Sequence, residues 1–490
     1  MAGIDYISSG NPGMQKPPIG APSRPALCLD SQYGALYASI NGIWQQVSAA
    51  VGATDEFEQF MASLQEGRST TMFVIGDSTG AGTQRWVYLL SQWLAQKFPA
   101  YTVRYRAWDG GIEDYDAPVF LQMGPLGERF VNTSLTNSNY TIMQPTEIPA
   151  ITGGVDLRIK IAPDSWRSTN NYGLLSQGTG SAPNLGFEFY LAGTGAGSDL
   201  FLTWSPDGTS TVTARSTAGV PDAGAGNPQW LRVVHVWDNG SNQNTAVFYT
   251  SLDGVTWTKL GNTVTNSGTT SYNTSTAATA YWGFGNAYTG LVLNGKVFWA
   301  EIRNGNNVIL NPPQPDQWEF ATGSSSAPSY GGSPTIDILN GSEPGAGLAY
   351  FADATRGPKV MLNFRPTLAI FSLNHNEQAV VGAAEQTSYV SLLATIRSTL
   401  PAASIVLLSQ NPRIPPAAND YGQLVRTYML SVIASTYGYG FVDLRRVFDL
   451  NPLGLTALID SDGVHPSNAS GSPLWAQTIE FLLMQAAQYV

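Results

Sequence analysis

The chain has 490 residues, 43% of them hydrophobic and only 12% charged, with 51 glycines, 30 prolines and a formal net charge of −11. That length points to two or three domains, and the low-charge, turn-rich balance fits β-rich structure with a neutral polar surface. The negative balance, with no basic stripe in the sequence, argues against nucleic acid and against an anionic membrane surface as partners.

A single cysteine, Cys28, excludes an intrachain disulfide framework and reads as a small buried hydrophobe. Met1 to Pro18 lacks a charged region followed by an apolar one, so no signal peptide is expected. No apolar run approaches about 20 residues, so no membrane span is expected.

Taken in chain order, residues 1–69 read as an attachment segment. Pro and Gly dominate up to Pro25. Short apolar stretches follow at Ala26 to Asp30, Ala35 to Tyr37 and Ile43 to Trp44, with a turn at Asn41-Gly42. The segment is too small for a substantial core and is expected to dock on a partner or on the main body.

From residue 70 the pattern becomes α/β. Thr71 to Ile75 is a continuous apolar run, as in a strand buried on both faces. A Gly-rich turn follows, then a helix with Trp86, Leu89, Leu90, Trp93 and Leu94 on one face. The same alternation returns near the end, with strands at Ile336 to Leu339, Leu368 to Leu373, Ile405 to Leu408 and Phe441 to Leu444. One helical pattern carries Tyr389, Leu392, Leu393, Ile396 and Leu400, and a second carries Leu424, Val425, Tyr428, Val432 and Ile433. The last carries Leu474, Trp475, Ile479, Leu482 and Leu483. This predicts a three-layer α/β/α fold, a parallel sheet with helices on both faces, built from residues 70–117 and 335–490.

Residues 118–313 differ. Alternating strands take over at Leu157 to Ile161, Phe187 to Leu191, Leu200 to Trp204, Leu231 to Trp237, Val247 to Thr250 and Val297 to Ile302. Turn signals such as Ser205-Pro206-Asp207-Gly208 and Asp238-Asn239-Gly240 separate them. Many short strands predict an antiparallel β-sandwich, inserted at an exposed loop of the α/β domain. A Pro/Ser/Gly-rich connector, residues 314–334, leads back.

Ser78 follows the first buried strand in Phe73-Val74-Ile75-Gly76-Asp77-Ser78 and precedes a helix. A strand-to-helix turn would raise it at the carboxyl end of the sheet, where open α/β folds bind ligands. His465, one of three histidines, stands just before the last helix in Asp462-Gly463-Val464-His465-Pro466. A serine nucleophile needs a general base near neutral pKa, and a carboxylate three residues earlier can hold the imidazole tautomer. Asp460 is close by, so the choice of Asp462 rests on spacing.

These segments resemble the SGNH (GDSL-like) hydrolases, whose motifs occur in four blocks. The blocks here are Gly76-Asp77-Ser78-Thr79, Asn340-Gly341-Ser342-Glu343-Pro344-Gly345, Asn374-His375-Asn376-Glu377 and Asp462-Gly463-Val464-His465. The resemblance implies Ser78 as nucleophile, His465 as base and Asp462 as its orienter. It implies an oxyanion hole from the backbone N–H groups of Ser78 and Gly345 and the side-chain amide of Asn376. No metal or cofactor is implied. Three positions depart from the pattern: Thr79 where Leu is frequent, Asn374 where Gly is usual, and Glu377 where Asp is usual. His375 and His235 read as structural.

The insert resembles laminin-G or concanavalin-like lectin sandwiches. Trp204, Trp230, Trp237, Trp257, Trp282 and Trp299 could supply a sugar-stacking platform or core, and no calcium cage can be assigned. The order of a short N-terminal segment, a sandwich and a hydrolase resembles bacteriophage tail-associated proteins. That implies a homo-oligomeric virion protein, or one released by lysis, which docks on other virion proteins through residues 1–69 and acts on ester groups of a cell-surface glycan. The alternative is a non-catalytic carbohydrate-binding adhesin on a vestigial hydrolase fold.

Overall fold

The computed structural model describes residues 6–8, 27–30, 35–40, 43–46, 53–133, 140–143, 151–167, 169–178, 183–193, 197–275, 282–284, 293–304, 307–310, 315–317, 329–362, 366–373, 375–377, 383–417 and 420–488. The chain forms two compact units: residues 1–123 with 336–490, and residues 124–335.

In the first unit, Tyr6–Ser8, Leu27–Asp30, Ala35–Ile40 and Ile43–Gln46 form a four-stranded sheet in chain order. Cys28 pairs with Tyr37 in its register; the surroundings of its side chain lie outside the described residues. A helix then follows, α1 (Ala53–Gln65). Its Phe57, Phe60, Met61 and Leu64 repeat at helical spacing and are buried in the same core as Met72 and Leu368. The segment read as an attachment piece thus ends in a helix of the α/β core, because these four residues need an apolar surface to cover them.

The main sheet has β1 (Thr70–Gly76), β2 (Thr102–Asp109), β3 (Asp114–Tyr115), β4 (Val119–Gln122), β5 (Thr335–Asn340), β6 (Leu368–Ser372), β7 (Ser404–Leu408) and β8 (Gly440–Val442). The order is β8-β7-β6-β1-β5-β2-β3, with β4 beside β2. From β8 to β5 the pairs are parallel. β3 and β4 run antiparallel to β2, so the α/β sheet continues past residue 117.

Alternation along the strands explains the three layers. Met72, Val74, Ile370 and Val406 face one core with α1, α2 (Trp86–Lys97) and α5 (Gly471–Ala486). Phe73, Ile75, Phe371 and Leu407 face a second core with α3 (Ala383–Thr399) and α4 (Asp420–Tyr437). Trp86 and Trp475 stack across the first core, ring centroids 5.5 Å apart. Such doubly buried strands read as unbroken apolar runs.

The predicted face of α4 is wrong at three of its five positions. Leu424, Tyr428 and Val432 lie on its exposed side, Tyr428 at 72%. The buried side carries Gln423, Arg426, Thr427, Leu430, Ile433 and Ala434. Arg426 hides an apolar-face position because Glu385 of α3 neutralises it, Nε to Oε1 at 2.6 Å. A buried ion pair is invisible to a count of apolar residues.

The second unit is a two-sheet antiparallel sandwich. One sheet has the order Tyr140–Met143, Trp282–Phe284, Asn171–Gly178, Leu185–Gly193, Ser198–Trp204, Val212–Arg215. The other has Thr258–Lys259, Gln243–Ser251, Gln229–Val236, Gly154–Pro163, Gly295–Asn304, Phe130–Thr133, Ser329–Gly331, with Val264–Ser267 and Asn307–Leu310 as side branches. Its core takes alternate residues, among them Leu157, Ile159, Phe187, Phe189, Leu202 and Val233. Ser329–Gly331 pairs with Phe130–Thr133, so part of the stretch read as a connector is a strand of this unit.

Candidate active site

β1 is the central strand of the site, with β5 on one side and β6 on the other. At its carboxyl end Asp77 folds the turn that presents Ser78. One carboxylate oxygen of this fully buried residue accepts from the Thr79 N–H at 2.9 Å and from the Thr79 hydroxyl at 2.8 Å. The other accepts from Gln410 Nε2 at 2.9 Å. Gln410 also donates to Ser372 O at 3.0 Å and accepts from His375 N–H at 2.6 Å. One amide therefore ties together the strand ends of β1, β6 and β7. The departure to Thr79 has its reason here, since a leucine would keep the N–H bond but could not make the hydroxyl bond.

Sequence reading missed the roles of Asp77 and Gln410. The available signal was the polar run Ser409-Gln410-Asn411 directly after the buried strand β7.

The three residues expected to act together do meet. Ser78 Oγ lies 2.6 Å from His465 Nε2, and His465 Nδ1 lies 2.5 Å from Asp462 Oδ2. Asp462 Oδ1 accepts from the N–H groups of Val464 at 2.8 Å and His465 at 3.0 Å. With Nδ1–H donated to the carboxylate, Nε2 is left to accept the serine proton. Partial burial pushes the Asp462 pKa up, but the His465 side chain and the two N–H groups outweigh it and hold it down at about 2. Asp460 does not compete: it faces Arg85 at 3.6 Å.

The loop carrying Asp462 and His465 is held from several sides. Gly463 O accepts from Ile414 N–H at 2.9 Å, Val464 O from Asn411 Nδ2 at 2.8 Å, and Pro466 O from Arg85 Nη1 at 2.5 Å. Gly463 sits at φ +76°, and a Cβ there would lie 2.0 Å from Ile414 O. Gly463→Ala is therefore expected to lower stability by about 1–3 kcal/mol from backbone strain alone. A denaturation midpoint equal to wild type would contradict this.

The loops after β5 and β6 flank the Ser78 turn. Gly341 N–H donates to Val74 O at 2.7 Å, and Glu343 N–H to Gly76 O at 3.1 Å. Across the gap, Asn376 Nδ2 donates to Ala346 O at 2.9 Å. The Glu377 carboxylate accepts from Leu348 N–H at the start of the short helix Leu348–Phe351. An amide has two donors, and among the described residues only one bond from Asn376 Nδ2 is made. Among the described residues, neither Ser78 N–H nor Gly345 N–H has a protein acceptor. Gly345 is at φ +79°, and a Cβ there would touch nothing within 4 Å. Glycine suits this left-handed backbone. Asn374 lies outside the described residues.

The other two histidines are buried. His375 Nε2 lies 2.9 Å from Asn411 O, and burial lowers its pKa. His235 Nδ1 lies 2.8 Å from Tyr272 Oη, with burial lowering its pKa to about 4. No metal-ligating cluster occurs among the described residues, and none of their helices is long and apolar enough to cross a membrane. A cleft of about 520 Å³ beside α3, lined by Phe351, Met361, Ser388 and Leu392 among others, includes none of Ser78, Asp462 or His465.

The tryptophans of the sandwich divide. Trp204 is core, its Nε1 donating to Thr270 Oγ1 at 2.8 Å. Trp237 packs on Tyr272. Trp230, Trp257 and Trp299 are part-exposed. The side chain of Trp282 lies outside the described residues.

A mainly parallel α/β sheet with a Ser–His–Asp hydrogen-bond chain at its strand ends, interrupted by an antiparallel sandwich, is the class this chain presents. No protein-family model and no curated protein matches it. Among solved structures it is similar to a peptidoglycan O-acetylesterase, with 14% identity over 91% of this chain and 100% of that one at a TM-score of 0.37. It is also similar to a two-domain esterase active on acetylated mannans, at 18% identity over 32% of this chain and 39% of that one, TM-score 0.27. A third likeness is to the CBM40 module of a Ruminococcus gnavus IT-sialidase bound to α2,6 sialyllactose, at 16% identity over 37% and 91%, TM-score 0.26.

Proposed function

We propose that this chain is a serine esterase of the SGNH type acting on O-acetyl groups of a cell-envelope glycan. The observation that carries the reading is the continuous chain from Ser78 through His465 to Asp462. Ser78 Oγ attacks the ester carbonyl and its proton passes to His465 Nε2. The oxyanion is met by the N–H groups of Ser78 and Gly345 and by Asn376. One such donor is worth about 100–1,000-fold in rate. His465 returns the proton to the departing alkoxide, leaving an acyl-enzyme. Water then attacks, giving its proton to His465, and Ser78 is released with the free acid.

A glycan substrate is supported by the inserted sandwich with its part-exposed tryptophans, which suits holding a polymer while the ester is cut. The proposal extends to a virion-associated, homo-oligomeric protein that docks through its N-terminal segment. That extension rests on the order of a short N-terminal segment, a sandwich and a hydrolase along the chain.

The test is acetate release from a panel of O-acetylated envelope polysaccharides. Release from at least one, lost in Ser78→Ala, is expected. Hydrolysis of p-nitrophenyl acetate with release from none would overturn the glycan assignment alone. Failure on both would favour the adhesin reading.

A further inference from the structure

Side chains of the larger sandwich sheet alternate between core and outer face. Leu157, Ile159, Ile161, Leu231 and Val233 are core, so Arg158, Lys160, Trp230 and Arg232 stand on the other face. Register fixes their neighbours. Trp299, Lys160, Trp230 and Ser251 form one cross-strand row. Glu301, Arg158, Arg232, Tyr249 and Lys259 form the next. Trp257 meets Trp230 edge-on at 6.3 Å, and Trp299 lies 6.1 Å from Trp230. The result is three connected indoles bordered by cations. Arg158 and Arg232 lie 5.7 and 5.2 Å from the Trp257 ring, and Lys160 lies 5.8 Å from that of Trp230.

The charge of this face opposes that of the chain. Lys160, Arg158, Arg232, Lys259, Lys296 and Arg303 stand against three carboxylates in contact with them, Asp156, Glu128 and Glu301. The protein as a whole carries −11. Lys259 and Lys296 have no carboxylate partner among the described residues, and the paired Arg158 and Arg232 each have five donors to share. The face runs into a cleft of about 540 Å³ that shares Asp156, Arg232 and Val234 with it and adds Thr152 and Asn304.

The geometry points to this face as a binding site for an anionic glycan whose rings carry carboxylates. A pyranose stacks on an indole through its C–H face, which suits Trp230, Trp257 and Trp299. A uronate carries its carboxylate at the ring edge, level with the lysines and arginines beside the stacked ring. A phosphodiester polymer sets its charge between units instead, away from any stacked ring. The inference rests on the reading of the sandwich as a polymer-holding domain and does not depend on the esterase chemistry.

The test is affinity electrophoresis of the full-length protein in gels containing polygalacturonate, neutral dextran or a teichoic acid. Retardation by polygalacturonate is expected, exceeding that in the other two gels. Trp230→Ala and Lys296→Gln should each weaken it by about 5-fold. Both variants should hydrolyse p-nitrophenyl acetate at the wild-type rate. Lys296→Gln removes a part-buried charge lying over the Phe130 ring rather than a whole packed ring, so it remains informative if Trp230→Ala unfolds. No retardation, equal retardation by dextran, stronger retardation by teichoic acid, or unaltered binding by Lys296→Gln would overturn the inference. Polygalacturonate binding without any hydrolysis would leave it standing while removing the esterase.

Discussion

Ser78→Ala is expected to slow hydrolysis of p-nitrophenyl acetate by at least about 10⁴-fold, because no other group can replace the attacking oxygen. The same change should leave the fold intact. Ser78 contributes its Oγ to the bond with His465, whereas the turn itself is built by Asp77, Thr79 and Gln410. The variant's denaturation midpoint should match wild type. A variant that keeps more than about a tenth of the rate would contradict the role given to Ser78. A variant that unfolds would contradict the account of the turn.

Asp462→Asn is expected to lower kcat by about 10²–10⁴-fold with little change in KM. An asparagine can present its N–H₂ to Nδ1 and so favour the tautomer that carries its proton on Nε2, where it blocks the serine. Asp462 is about half exposed, so water can assist in its place and the loss can fall short of the upper value. The pH dependence separates the two partners. The carboxyl is held at about 2, below its ordinary 3.8, so it is ionised throughout the neutral and mildly acid range. Whatever stability that depressed pKa contributes is present above 3.8 and lost as pH falls toward about 2. Loss of activity in the mildly acid range, above pH 3.8, is therefore not titration of this carboxyl.

Much of the site was legible because its parts are local. Ser78 follows an unbroken buried strand, and Asp462 and His465 sit three residues apart in a tight turn, so each half could be read within a few residues. What joins the halves was not legible. Gln410 looks like any polar residue after a strand, and its bonds to Asp77, Ser372 and His375 exist only once β1, β6 and β7 lie side by side. Gly345 was legible only through its motif; its left-handed backbone, with open space where a Cβ would stand, was not.

In the fold, strands buried on both faces announced themselves by composition. The face of α4 did not, because Arg426 occupies a core position and Tyr428 a solvent one. Helix α1 was missed although Phe57, Phe60, Met61 and Leu64 carry a clear helical period. The Pro/Gly-rich start drew the boundary too late. In the sandwich, alternation gave the principal strands, but which tryptophans are core and which are exposed depends on register, and register is a property of pairs of strands.

The central claim is that Ser78 is a nucleophile activated by His465. The most direct measurement is reaction of the full-length protein with a fluorophosphonate, followed by intact-mass and peptide mass spectrometry. A single adduct on the peptide containing Ser78, absent in Ser78→Ala and strongly slowed in His465→Ala, is the predicted result. An unmodified protein, or an adduct on another serine that persists in Ser78→Ala, would contradict it.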